Sequence, residues 1–237
     1  MKTVFSYWRL ELDERSADND GVRKIMKRMC LGLCLFAVLI GDAAAASVLE
    51  KGGDVFYVGD DGQSQQITTS KNNGKAVLSP DGKSVAYVRS YDDPKHEFGD
   101  PDEKCELWLT DIEGKSPRLL LQNKVGGDSE EKRLAYFNNL IFTPDGKSLY
   151  FLSAAWVTSN AVHLLDLATL QEHFVTDSDS IRLVTRGKYA GYLVAMKHKY
   201  FKHGGSYDYY WLVNPKGREI KRVAKDEREL ERYMRGK

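Results

Sequence analysis

From residue 54 to residue 224 apolar and polar positions alternate in short runs, each broken within a few residues by Gly, Pro, Asp or Asn. Alternation with a period of two, bounded by turn residues, predicts strands joined as hairpins. Two hairpins share one phrase: Ser79-Pro80-Asp81-Gly82-Lys83-Ser84-Val85-Ala86-Tyr87 and Thr143-Pro144-Asp145-Gly146-Lys147-Ser148-Leu149-Tyr150-Phe151. Alternating apolar residues precede each turn (Ala76 and Leu78; Leu140 and Phe142), and β-branched or aromatic residues follow it. Pro presets the first corner, Asp bonds back to the backbone, and Gly accepts a positive φ. Pro80, Asp81, Gly82, Pro144, Asp145 and Gly146 are therefore read as turn-forming residues of a repeat.

The repeat pairs two kinds of hairpin. The first carries the Pro-Asp-Gly turn and supplies inner strands, at 76–79 with 84–90 and at 139–143 with 148–153. A degenerate copy runs from Ile181 to Tyr192 and turns at Arg186-Gly187-Lys188. The second kind joins an aromatic or aliphatic strand to a more polar one. It begins at Val55, Leu107, Val162 and Tyr209 and turns near Asp61-Gly62, Glu113-Gly114, Ala168-Thr169 and Pro215-Lys216-Gly217. Two such hairpins in series make a four-stranded antiparallel blade, the unit of a β-propeller. The pattern predicts three full blades (75–121, 138–176 and 180–224) after a half blade at 54–69. The expected fold is all-β, a small or incomplete propeller of about four blades. Its expected core is Phe56, Leu78, Val85, Tyr87, Trp108, Leu140, Phe142, Leu149, Phe151, Leu164, Leu193 and Trp211. The tail 225–237 reads as a short helix with Leu230, Tyr233 and Met234 on one face, suited to covering an exposed blade edge.

The first 46 residues follow a different grammar. Met26-Lys27-Arg28-Met29 is a basic start, Cys30 to Ile40 is an apolar run, and Ala43-Ala44-Ala45-Ala46-Ser47 offers small-residue cleavage sites. That is the pattern of a secretory signal peptide at 26–46. The alternative is an uncleaved anchor, but the run falls short of the roughly twenty residues that span a bilayer. Residues 1–25 include Asp13, Glu14, Asp18 and Asp20, foreign to a secretory start, and read as an upstream extension from an early start codon. The expected location is periplasmic or secreted, with no stable membrane span once the signal is removed. The whole chain carries a formal net charge of +1, and with residues 1–46 set aside the balance is even. An even balance lacks the basic excess of a nucleic-acid binder. Cys30 and Cys34 fall in the signal, so Cys105 has no intrachain disulfide partner in the mature chain and reads as a half-buried strand residue.

The phrase Ser/Thr-Pro-Asp-Gly-Lys-Ser, followed by Leu107-Trp108-Leu109-Thr110-Asp111-Ile112-Glu113-Gly114, resembles the repeat of TolB-like and WD-type β-propellers. Related repeats occur in the propeller domain of prolyl-oligopeptidase-like enzymes. The resemblance covers most of residues 54–224 and implies the fold. It also implies that Asp111 and Asp166, with Asn214 nearby in the last copy, end the third strands of their blades. TolB-like propellers usually have more blades than the four or so, at about 40 residues each, that this chain has room for. The chain then closes as a small ring, stays an open array, or completes a ring as a homodimer.

No catalytic constellation stands out. Gly204-Gly205-Ser206-Tyr207-Asp208 lacks the closing glycine of a nucleophile elbow, and the chain has no P-loop, no H-E-x-x-H and no paired Cys motif. No cofactor is expected. The insertion 91–104 is acidic, and Asp92, Asp93, Asp100 and Asp102 are its candidate ligands for a hard cation, although a solvated acidic loop explains it as well. The segment 197–208 mixes aromatics with titratable groups, and Lys197, His198, Tyr200, Phe201, His203 and Tyr207 are the candidate binding residues. The spacing of His198 and His203 makes a poor metal pair. A third insertion, 122–137, is polar. These features point to a non-catalytic scaffold for an envelope protein or a glycan. The alternatives are a lyase or hydrolase built from scattered residues, and a structural subunit that completes a propeller by oligomerisation.

Overall fold

The computed structural model describes residues 45–91, 104–124, 129–156 and 159–236. These residues form four antiparallel sheets in chain order and one terminal helix. The first sheet is β1 (Ser47–Lys51), β2 (Asp54–Val58) and β3 (Ser64–Gln66). The second is β4 (Asn73–Leu78), β5 (Ser84–Tyr91), β6 (Lys104–Asp111) and β7 (Arg118–Gln122). The third is β8 (Asn138–Phe142), β9 (Ser148–Trp156), β10 (Ser159–Asp166) and β11 (Glu172–Asp177). The fourth is β12 (Ile181–Leu183), β13 (Leu193–Tyr200), β14 (Ser206–Val213) and β15 (Glu219–Ala224), followed by α1 (Glu227–Arg235). In every sheet the strands pair in sequence order, as propeller blades do.

The repeated phrase folds twice into one hydrogen-bond relay. Ser79 Oγ donates to Asp81 Oδ1 at 2.6 Å and accepts from Ser84 N at 2.9 Å, while Lys83 N donates to Asp81 Oδ1 at 3.1 Å. Thr143, Asp145, Lys147 and Ser148 reproduce it at 2.6, 3.1 and 3.0 Å. Gly82 and Gly146 sit at φ 70° and 67°, as the turn requires. At the opposite hairpin of each blade, Asp111, Asp166 and Asn214 cap the turn by accepting from amides two to four residues on. Each is the last residue of its third strand or the next one along.

The sheets stack face to face, and each inner sheet is buried on both faces. Along β5, Val85 and Tyr87 pack toward the first sheet with Val55 and Ile67, whereas Ala86 and Val88 pack toward the third with Leu149 and Phe151. Along β9, Leu149 and Phe151 join that same cluster, while Tyr150 and Leu152 meet Leu193, Ala195 and Val213 of the fourth sheet. On the far face of the fourth sheet, Val194 and Leu212 pack with Leu230 of α1. Tyr233 and Met234 flank that contact, so the tail covers the last blade's free face. No hydrophobic cluster joins the first sheet to the fourth among the described residues.

Several expectations need correction. The half blade has a further strand, β1, before residue 54. The degenerate hairpin is wider than predicted: β13 starts at Leu193, and a single helical turn at Gly187–Tyr189 fills the connection. Phe56, Leu78, Trp108, Leu164 and Trp211 are only partly buried, whereas alternate positions such as Ala86, Val88, Tyr150 and Val194 are fully inside. Cys105 is buried in β6 at 3% exposure, deeper than a half-buried residue. The upstream extension, the signal segment up to residue 44, and Asp92, Asp93, Asp100 and Asp102 lie outside the described residues. No helix among the described residues is long and apolar enough to cross a membrane.

Candidate functional site

Strand order fixes which loops share an end of the stack. In each four-stranded blade the first-to-second and third-to-fourth turns lie at one end. The second-to-third connections and the crossings between sheets lie at the other. The strand ends at Tyr91 and Lys104, at Gln122 and Asn138, and at Tyr200 and Ser206 therefore all belong to one end. The Pro-Asp-Gly turns occupy the opposite end and flank a cavity of about 430 Å³ lined by Asp81, Asp145, Phe142 and Leu167. Both of its carboxylates are engaged in their own turns, so this cavity is a by-product of the repeat.

A larger groove, about 540 Å³, opens between the third and fourth sheets. The third sheet contributes Trp156 from the end of β9, Ser159 from β10, and Phe174, Thr176 and Asp177 from β11. The fourth contributes Lys197, His198 and Tyr200 from β13 and Glu219 from β15, and Glu131 also lines the groove. The apolar cluster between these sheets ends at Ala195 and Trp211, where polar groups take over.

Of the six predicted binding residues, the groove gathers Lys197, His198 and Tyr200. Lys197 is 5% exposed, its ammonium donating to Thr176 Oγ1 at 2.6 Å and to the Asp177 carbonyl at 3.1 Å. It also pairs with the Asp177 carboxylate and lies 3.8 Å from Glu219 Oε1. A cation so placed holds the two sheets together and is not free to grip a ligand. Lys199 donates to Glu219 Oε2 at 2.5 Å and lies over the Trp211 ring at 4.1 Å. His198 Nδ1 lies 2.7 Å from Asp208 Oδ1, and its ring meets Tyr200 edge-on at 5.1 Å. Tyr200 is 77% exposed.

Phe201, His203 and Tyr207 lie outside the groove lining. Phe201 is 51% exposed and packs tilted against Tyr207 at 4.6 Å; Tyr207 in turn contacts Tyr209 at 4.4 Å, with Arg222 over that ring. His203 is exposed in the turn. The segment is mostly strand rather than inserted loop, since β13 runs to Tyr200 and β14 starts at Ser206. Strand pairing does not follow this division: Lys197 and Lys199 share the face of Tyr207 and Tyr209, toward the third sheet, while His198, Tyr200 and Asp208 lie on the other face.

Sequence reasoning missed Trp156 and Phe174, whose rings meet edge-on at 6.2 Å and line the groove from the third sheet. It also missed His163, which is wholly buried, stacked on Phe151 at 5.2 Å, with Nδ1 2.6 Å from Glu172 Oε1. A carboxylate only accepts, so Nδ1 carries the proton, and Nε2 has no hydrogen-bond partner among the described residues. Only an aromatic strand end after Ala154-Ala155 marked Trp156 in sequence. Among the described residues no three His, Cys, Asp or Glu side chains cluster as metal ligands.

The fold is a β-propeller-type stack of antiparallel blades. It is similar to dipeptidyl peptidase 4 from Porphyromonas gingivalis, with a TM-score of 0.52 at 14% identity, over 76% of this chain and 31% of that one. Putative TolB from Agrobacterium tumefaciens matches with a TM-score of 0.47 at 18% identity, over 76% of this chain and 58% of the other. TolB from Acinetobacter baumannii gives 0.47 at 20% identity, over 75% and 40%. The chain thus spans between about a third and three-fifths of the length of these structures. No protein-family profile and no curated protein matches it.

Proposed function

We propose that this protein is a non-catalytic, exported binding scaffold that presents one end of a propeller-type stack to an envelope protein or a glycan. The observation that carries the reading is the groove between the third and fourth sheets, whose lining includes Trp156, Phe174 and Tyr200 beside Lys197, Asp177 and Glu219. Aromatic surface with a few fixed polar groups is the usual make-up of a recognition site. Lys197 pairs there with Asp177 and Glu219, an arrangement that holds a surface in shape. Export rests on the apolar run and alanine-rich site at 26–46.

Replacing Tyr200, Phe201 and Tyr207 together by alanine is expected to abolish capture of the partner from envelope extract. Stability should stay within about 1–2 kcal/mol, as for exposed positions. Retention of the partner by a folded triple variant would place the site elsewhere. Unfolding of the variant would show the rings to be structural.

A further inference from the structure

We propose that β1 is a pairing edge for a second copy of this chain, joined antiparallel about a two-fold axis at Leu49. This contact is independent of the groove. Every sheet here has two edge strands, and an unpaired edge invites another strand unless something blunts it. The pairings of β4, β7, β8, β11 and β15 each carry a break in register, and such bulges bend an edge away from a neighbour. β3 and β12 are only three residues long. β1 has neither protection: its five residues pair with β2 in unbroken register.

The backbone of β1 is ready for a neighbour. Gly52 and Gly53 sit at φ 62° and 79°, the two positive values that a type I′ hairpin needs. Lys51 and Asp54 flank that turn and exchange the first ladder bonds, so Leu49 with Phe56 and Ser47 with Val58 exchange the next. The amides and carbonyls of Val48 and Glu50 therefore point to the open edge, where no backbone partner meets them among the described residues. The strand is also held in place. Val48 packs toward the second sheet, and Glu50 Oε1 accepts from Ala76 N at 2.7 Å. Leu49, on the other face, is 49% exposed.

Self-complementarity selects the occupant. With the axis at Leu49, Val48 stands opposite Glu50 of the partner subunit, and the two exchange backbone bonds in both directions. Leu49 meets Leu49 of the partner subunit across the axis, so an exposed apolar side chain becomes covered. Lys51 falls opposite Ser47 of the partner subunit. Moving the axis one residue along would set Glu50 directly against its own copy, and like charges directly opposite are destabilising. The contact is isologous and closes on itself at two copies, because each copy offers β1 once.

The test is sedimentation equilibrium of the purified protein at increasing concentration, with oxidative cross-linking as a second readout. We expect a dimer whose population rises with concentration. Leu49→Lys sets two like charges across the axis and should weaken the dimer by about tenfold or more, whereas Leu49→Ile should keep it. Leu49→Ser, which removes the contact without adding charge, takes the place of Leu49→Lys if that variant does not fold. In a non-hydrogen-bonded antiparallel pair the Cα atoms stand about 4.5 Å apart, within the span of a disulfide. Leu49→Cys treated with oxidised glutathione should therefore give a covalent dimer that the parent, whose Cys105 is buried, does not give. A monomer at every concentration overturns the proposal. So does a dimer that the Leu49 variants leave intact, or one that Leu49→Cys fails to link, since the contact then uses another face.

Discussion

At the scale of single residues, Asp81 and Asp145 act as acceptors that close a turn. The Ser79 hydroxyl, then the Lys83 amide, hold the Asp81 carboxyl below its ordinary value of 3.8, and Thr143 and Lys147 do the same for Asp145. A depressed folded-state pKa stabilises the fold above the unfolded value, and this contribution disappears as pH falls through the folded value. The double variant Asp81→Asn, Asp145→Asn should therefore be less stable than the parent at neutral pH. The gap between their urea midpoints should close as pH drops below about 4. A gap that stays constant down to pH 2 or so would mean that these carboxylates contribute through shape alone. This relay was legible in the sequence because donor and acceptor lie within five positions. The pairing of Lys197 with Asp177 was not, because its partner comes from the neighbouring sheet, and in sequence Lys197 reads as a candidate binding residue.

Among the elements, α1 shows how a short amphipathic segment finishes a stack. Asp226 caps it by accepting from Glu229 N at 2.8 Å, and Leu230 is 1% exposed against Val194, Leu212 and Ala224. Arg182 of β12 pairs with Glu227 and Glu231, while the Tyr210 hydroxyl donates to Glu227 Oε2 at 2.7 Å. Burial, then the bond to Glu227, pushes the Tyr210 hydroxyl up to about 12. Leu230→Ala should cost about 2–4 kcal/mol in chemical denaturation, as a buried leucine does when the site cannot collapse. Arg232→Ala, on the exposed face, should stay within about 0.5 kcal/mol. Equal effects would mean that the helix does not cap the sheet. The strands teach a related lesson. Period-2 patterning identified them, but it assigned only one face to the core, and β5 and β9 bury both. Contiguous apolar runs such as Leu149-Tyr150-Phe151-Leu152 reflect two neighbouring sheets, not one.

For the whole molecule, the contacts that matter run between sheets. Gly217, in the last turn of the fourth sheet, lies so close to the third that an added Cβ would stand 2.1 Å from the Val175 carbonyl oxygen. At Gly82, an added Cβ would meet nothing within 4 Å. Both glycines have positive φ, so Gly82→Ala should cost about 1 kcal/mol from backbone strain alone. Gly217→Ala should cost about 2–4 kcal/mol, because a backbone neighbour must also move. Equal thermal shifts for the two variants would argue against tight stacking of the third and fourth sheets. The sequence by itself determined the hairpins, the blade repeat, the turn chemistry and the helical tail, because each depends on residues a few positions apart. Only the tertiary structure decided that the first blade gains β1 and that inner blades bury both faces. It alone brought Trp156 and Phe174 into the lining of a groove with Lys197. Those outcomes depend on which sheet faces which, and contacts between strands tens of residues apart leave no local pattern in the chain.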